Sequence, residues 1–250
     1  MQRRMVSAAP ILIFFAHFGL AQSTIRVLAS NGMRTVVEQL QPGAEKAVGQ
    51  NLAIEFNSTT GLKPKLESGQ GYDVAIVTVE MMDELVKSGK IAPKSRVNLA
   101  RGAIGVGIRA GASKPDIKTP EAMKQALLKV KAVSYAQDGA SRPAIEKMFW
   151  DLGIAEQMKA KTLLEQGSVR AAGRVAGGDA DFVLTLASEI LPIKGVELSG
   201  LLPARYQGYV SFSAGVAAGA VNPVQATTLV KFLASPENAS VYKAKGLEPR

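Results

Sequence analysis

Three times in its first third the chain passes from a run of aliphatic and β-branched residues into an amphipathic segment of helical period. TIRVLAS (24–30) leads into NGMRTVVEQL, helical through Leu40. NLAIEFNST leads into GLKPKLESG, and YDVAIVT (72–78) leads into EMMDELVKSGKI. Pro42-Gly43 is expected to break or kink the first helix before Ala44. Strand and helix alternating at this spacing restrict the fold to βαβ units around a mostly parallel sheet, because each crossover helix must pack back on the sheet it leaves.

The pattern then changes. RGAIGVGIRAGA (101–112) is a long apolar strand with no short crossover behind it, only the polar, proline-containing SKPDIKTPE. A second βα series starts at KAVSYAQ and continues through DADFVLT (179–185). YVSFSAGVAAGA (209–220) is a second long apolar strand, and NPVQATTLVKFLASPENASVYKAKG supplies two C-terminal helices. Two long strands bracketing a middle block predict an α/β fold of two lobes joined by two crossings. Residues 22–102 with 209–250 form one lobe and 103–208 the other.

Ligands of open α/β sheets bind beyond the carboxyl ends of the strands, and here those ends are small and polar. Ser30-Asn31-Gly32 follows the first strand, Ser58-Thr59-Thr60 the second, residues 138–142 the first strand of the middle block, and Gly167-Ser168-Val169-Arg170 opens a later helix. Each such residue is by itself an ordinary N-cap worth about 1 kcal/mol. Together, four helix mouths with hydroxyls and unpaired amides suit an anion. Arg142 differs from the rest, since a cation at a helix N-terminus opposes the helix dipole unless an anion sits nearby.

MQRRMVSAAPILIFFAHFGLAQS has two arginines, a short apolar run and small residues before Gln22, the pattern of a cleaved secretory leader over residues 1–21. Its run is shorter than a bilayer span requires. The expected mature chain is exported to the periplasm. It has no Cys, and the single His, at position 17, leaves with the leader. Zinc, haem, Cys-His and Ser-His-Asp sites are thereby excluded, and no cofactor is expected. The net charge of +9, or +7 without Arg3 and Arg4, is scattered among acids, and aromatic residues are only 6%. Nucleic acid is therefore not an expected partner.

IRVLASNGM, IEFNSTTGLKPKLESGQGYDVAIVT, SVRAAGRVAGGDADFVLT and LVKFLASPENASVYKAKGLEP occur in the order found in type II periplasmic solute-binding proteins of ABC importers. The chain resembles in particular their molybdate/tungstate-binding family over essentially its whole exported length. The resemblance implies a clamshell that closes on an anion held by hydroxyls and backbone amides. It implies site positions at Thr59, with Ser58 and Thr60 beside it, at Ser141 or Ala140, and at the Val169 amide.

Two positions depart from that family. Gly32 stands where a serine is expected, leaving Ser30 and Asn31 as substitutes, and Thr185 stands where a tyrosine is expected. A third departure is Arg142, which replaces a small residue and brings a guanidinium able to grip a carboxylate in two places. The expected ligand is thus a small organic carboxylate, with molybdate or tungstate as the alternative. The expected partner is an ABC permease or, alternatively, a membrane sensor, and a monomer is expected. Catalysis is not expected, because Tyr72-Asp73, Asp179, Asp181 and Glu189 show no spacing that pairs a general acid with a base. Trp150 is expected to pack in the core or between the lobes.

Overall fold

A computed structural model describes residues 24–250; the leader lies outside the described residues. The first βαβ block consists of β1 (Ile25–Ser30), α1 (Arg34–Val48), β2 (Leu52–Asn57), α2 (Thr59–Ser68), β3 (Val74–Thr78) and α3 (Val79–Lys87). The long strand β4 (Val97–Arg109) then leads to α4 (Pro120–Lys129), β5 (Val133–Ala136), α5 (Arg142–Asp151), α6 (Ala155–Lys159) and β6 (Thr162–Glu165). After these come α7 (Ser168–Gly177), β7 (Phe182–Leu186), α8 (Ala187–Ile190), β8 (Val196–Leu201), β9 (Tyr209–Val216), α9 (Pro223–Leu233), α10 (Ala239–Ala244) and β10 (Leu247–Pro249).

The strands run in the order β2-β1-β3-β9-β4-β7-β5-β6, with β8 and β10 also paired to β4. Pairing is parallel within the βαβ units, β1 to β2 and β3, and β5 to β6 and β7. It is antiparallel wherever β4, β8, β9 or β10 takes part. The two lobes meet along β4, whose first half pairs with β9 and β10 and whose second half pairs with β7 and β8. Close pairing on both edges needs Gly105, where a Cβ would come within 2.6 Å of a Leu198 methyl.

Helix α1 is continuous through Pro42, contrary to the break expected there. Val36, Val37 and Leu40 before the proline and Ala44 and Val48 after it are all buried. At about 1.5–3 kcal/mol for each large side chain, that burial on both sides outweighs the ~3 kcal/mol a helical proline costs. Trp150 is 76% exposed, so it packs in neither core nor cleft, whereas its neighbours Met148 and Phe149 are buried. Strands β6, β8 and β10 escape a periodicity reading because they are mostly half-buried or exposed, unlike the fully buried β3 and β5, and so show neither a continuous apolar run nor a clean alternation. Among the described residues no helix is long and apolar enough to cross a membrane.

Asp73 anchors the first lobe. Its fully buried carboxylate accepts from the Arg26 amide at 2.9 Å and from the Val221 and Asn222 amides at 2.7 and 3.3 Å, tying the start of β1 to the turn before α9. Removing it orphans these amides. Asp73→Ala is expected to lose about 2–3 kcal/mol, seen as a fall of roughly 4–10 °C in melting temperature by calorimetry.

Candidate functional site

The carboxyl ends of strands from both lobes enclose a cavity of about 30 Å³. Its first wall is the end of β1, Ser30, Asn31 and Gly32, together with Ser58 and Thr59 at the mouth of α2. Facing it are Gly139, Ala140 and Ser141 before α5, Gly167 and Ser168 at the mouth of α7, and Glu189 on α8; Leu186 and Phe212 supply the apolar part. The volume is that of one or two water molecules, so the lobes lie closed.

Four hydrogen bonds cross between the lobes here or bind the helix mouths. The Ser58 hydroxyl donates to Asp138 Oδ2 at 2.6 Å while accepting from the Gly61 amide as the α2 cap. The other oxygen of Asp138 accepts from the Gly167 amide at 2.9 Å. On the far side of the cavity the Ser188 hydroxyl donates to the Gly32 carbonyl at 3.0 Å. Asp138 thereby holds the entrances to α2 and α7 together.

The remaining hydroxyls are underused. Thr59 is 8% exposed and its Oγ1 has no hydrogen-bond partner. Ser30 and Ser141 are buried and make no side-chain cap bond to the helical segments they precede. Among the described residues, no lysine or arginine lines the cavity. Its positive potential comes from the N-termini of α2, α5 and α7, each carrying roughly half a charge.

Six of the residues singled out from the sequence, Ser30, Asn31, Gly32, Ser58, Thr59 and Ser141, line this one cavity. Four do not. Thr60 is exposed on the outer side of α2, and Val169, expected through its amide rather than its side chain, is 60% exposed and outside the lining. Thr185 is buried in β7 and donates to Glu189 Oε2, so it stands behind the cavity wall. Arg142 turns away altogether: its Nε donates to Glu146 at 2.7 Å and its Nη1 to the Gln137 carbonyl at 3.0 Å. A carboxylate one helical turn on and a free carbonyl answer its charge locally, so the dipole conflict is settled without any bound anion. Gly32 is explained by packing, since a Cβ there would lie 2.5 Å from the Phe212 ring and 3.0 Å from Leu186.

The residue that sequence reasoning passed over is Glu189. Ser168 Oγ donates to its Oε1 at 2.9 Å and Thr185 to its Oε2. Burial holds its carboxyl above the ordinary glutamate value; the hydrogen bonds from Thr185, Ser168 and the Leu186 amide pull the other way, and the Asp138 carboxylate adds to the rise. The signal was present as Thr185 and Glu189 four residues apart at a strand-to-helix junction, but their spacing gave no hint of Ser168.

A carboxyl harder to ionise in the folded than in the unfolded chain contributes stability below its ordinary pKa and loses it as pH rises through the raised one. The melting temperature of ligand-free protein is therefore expected to fall as pH rises above the ordinary glutamate range, where this chain has no Cys and, after residue 17, no His to titrate. Glu189→Gln is expected to flatten that fall in a series of thermal denaturation curves.

The chain matches the family described as bacterial extracellular solute-binding protein over residues 25–248. It is 30% identical over 236 residues to the aconitate isomerase of Pseudomonas sp, covering 91% of this chain and 88% of that one. Its fold is similar to that of the Azotobacter vinelandii periplasmic molybdate-binding protein, with a TM-score of 0.75 at 19% identity over 89% of this chain and 98% of that one. It is also similar to the sulfate-binding protein SubI of Mycobacterium tuberculosis H37Rv, with a TM-score of 0.72 at 14% identity over 91% and 87% of the two chains. Two lobes meeting at a cavity of helix mouths, matched along nearly the whole described length, make this chain a member of the bacterial extracellular solute-binding protein family.

Proposed function

We propose that the protein captures a small organic polycarboxylate in the periplasm and presents it to the permease of an ABC importer. The observation that carries this reading is Thr59, whose buried hydroxyl lacks a partner at the mouth of a ten-residue helix, in the wall of the cavity. Leaving such a group unsatisfied costs about 1–3 kcal/mol, which a ligand oxygen accepting from it would recover. Ser30, Ser141 and the dipoles of α2, α5 and α7 supply further donors and positive potential without a countercharge.

The choice of a carboxylate over a molybdate-type oxyanion is supported by the relative named for aconitate, which at 30% identity is nearer than the molybdate- and sulfate-binding proteins at 19% and 14%. It is supported again by Gly32, where Phe212 leaves no room for a serine hydroxyl. On this reading residues 22–102 with 209–250 move against 103–208 about β4 and the return into β9. The lobes part to admit the ligand, and its higher affinity for a form closed around it, wider than the present cavity of about 30 Å³, draws them together.

Glu189 favours a second reading, in which the bound tricarboxylate is isomerised. The isomers of aconitate interconvert when a proton leaves the methylene carbon and returns to the alkene carbon two positions away. Burial makes Glu189, when ionised, a stronger base than an ordinary glutamate, so its carboxylate in the cavity wall is suited to accept that proton and, as the acid, to give it back. Incubation with trans-aconitate, followed by NMR, is expected on this reading to yield the cis isomer with wild type and not with Glu189→Gln. No isomer from wild type would leave capture alone.

A thermal-shift screen of ligand-stripped protein against cis- and trans-aconitate, citrate, molybdate, tungstate and sulfate tests the first reading, since a ligand of the folded state raises the melting temperature. Carboxylates are expected to shift it, and a shift from molybdate and tungstate alone would sink the proposal. Thr59→Val is expected to weaken carboxylate affinity about tenfold or more with little change in the ligand-free melting temperature. Arg142→Ala is expected to leave affinity within about twofold, both read by isothermal titration calorimetry.

A further inference from the structure

We propose that Glu189 meets the ligand as a neutral acid, so that the cavity takes up a carboxylate together with one proton. The inference rests on the capture reading of the cavity as a carboxylate site, since a protonated Glu189 could not take the proton that isomerisation removes, and adds what that site must do with charge.

The lining offers an entering anion hydroxyls, amides and three helix mouths, but no cation, and one acid. A second acid, Asp138, sits behind the lining with both oxygens committed to Ser58 and Gly167. An anion entering beside ionised Glu189 would be a like charge in a space from which most water is excluded. Protonation removes the repulsion and gives the site one more donor. Glu189 can make that change without losing its place, because its two neighbours are hydroxyls. Ser168 and Thr185 donate to an ionised carboxylate, and either can rotate to accept from a protonated one.

Among the described residues, the charged groups around α8 do not do this for it; Lys194, in the turn after α8, and Lys245, beside the Gly246 that packs on α8, are both absent from the lining. Arg174 of α7 is occupied by Glu165 and Asp179, and Arg170 is exposed. On β4, Arg101 is paired with Glu248, and Arg109 packs at Gly178, outside the cavity. Glu197 of β8 faces Lys114, while β7 and the turn before α1 carry no charged residue. Asp138 is the one charged neighbour that acts on Glu189, and its charge favours the protonated form. By linkage, a bound anion then raises the proton affinity of Glu189 and a proton there raises the affinity for the anion, each by the same factor.

The test is calorimetric titration of the purified protein with trans-aconitate, and with molybdate as a second anion, at neutral pH in paired buffers of low and high ionisation enthalpy. The expected result is a heat that differs between buffers by the uptake of up to one proton per anion. Affinity is expected to weaken by as much as about tenfold per pH unit above the Glu189 pKa. Glu189→Gln is expected to bind with both dependences gone. Binding by wild type with no proton uptake at any pH overturns the inference and leaves the carboxylate reading standing. So does uptake that persists in Glu189→Gln, which would place the proton elsewhere. Absence of binding by both anions across the pH range overturns the carboxylate reading and this inference with it.

Discussion

One strand belongs to both lobes. β4 is hydrogen-bonded to β9 and β10 along its first half and to β7 and β8 along its second. A strand held on both edges cannot slide, because a one-residue slip would turn every side chain to the opposite face. The relative placement of the two sheets is set by that register, and the strand ends that line the cavity come from either side of it. Gly105, with Leu198 pressed where a side chain would go, shows how little space the arrangement leaves.

The cavity joins two features that oppose each other electrostatically. Its positive potential is diffuse, arising from helix N-termini and hydroxyl dipoles, and its formal charge is acidic, from Glu189 in the wall and Asp138 behind it. Dipoles fixed by helices need no reorganisation when an anion arrives, whereas a flexible lysine or arginine would have to be desolvated and ordered. Glu189 is the exception among fixed dipoles, since its charge can change without any movement of the backbone. Asp138 has a different task, holding two helix mouths from opposite lobes with its two oxygens.

Much of the site was legible in the sequence because N-cap residues are local. A serine or threonine between a strand and a helix is visible from the change of period alone, and six of the residues picked on that ground share one cavity. Arg142 was chosen by the same local logic and went elsewhere. The dipole conflict at its position is real, but Glu146 one turn along and the Gln137 carbonyl resolve it on the outer surface. Glu189 was visible as an acid, yet nothing near it in sequence disclosed that Ser168, from a different helix, would bond to it.

By itself the sequence determined the α/β class, the order of the βαβ units, the polar strand ends and the lack of thiol and imidazole chemistry beyond position 17. These follow from periodicity, capping and composition, which act within a few residues. Tertiary structure decided which polar ends share a cavity, as when Ser58 meets Asp138 across eighty positions. It also decided that Gly32 has no room for a side chain, that α1 survives its proline, and that an acid from α8 completes an otherwise neutral wall. The physical reason is the same in each case. Such outcomes depend on side chains brought together by strand order and register, and the pairings that fix register join residues far apart along the chain.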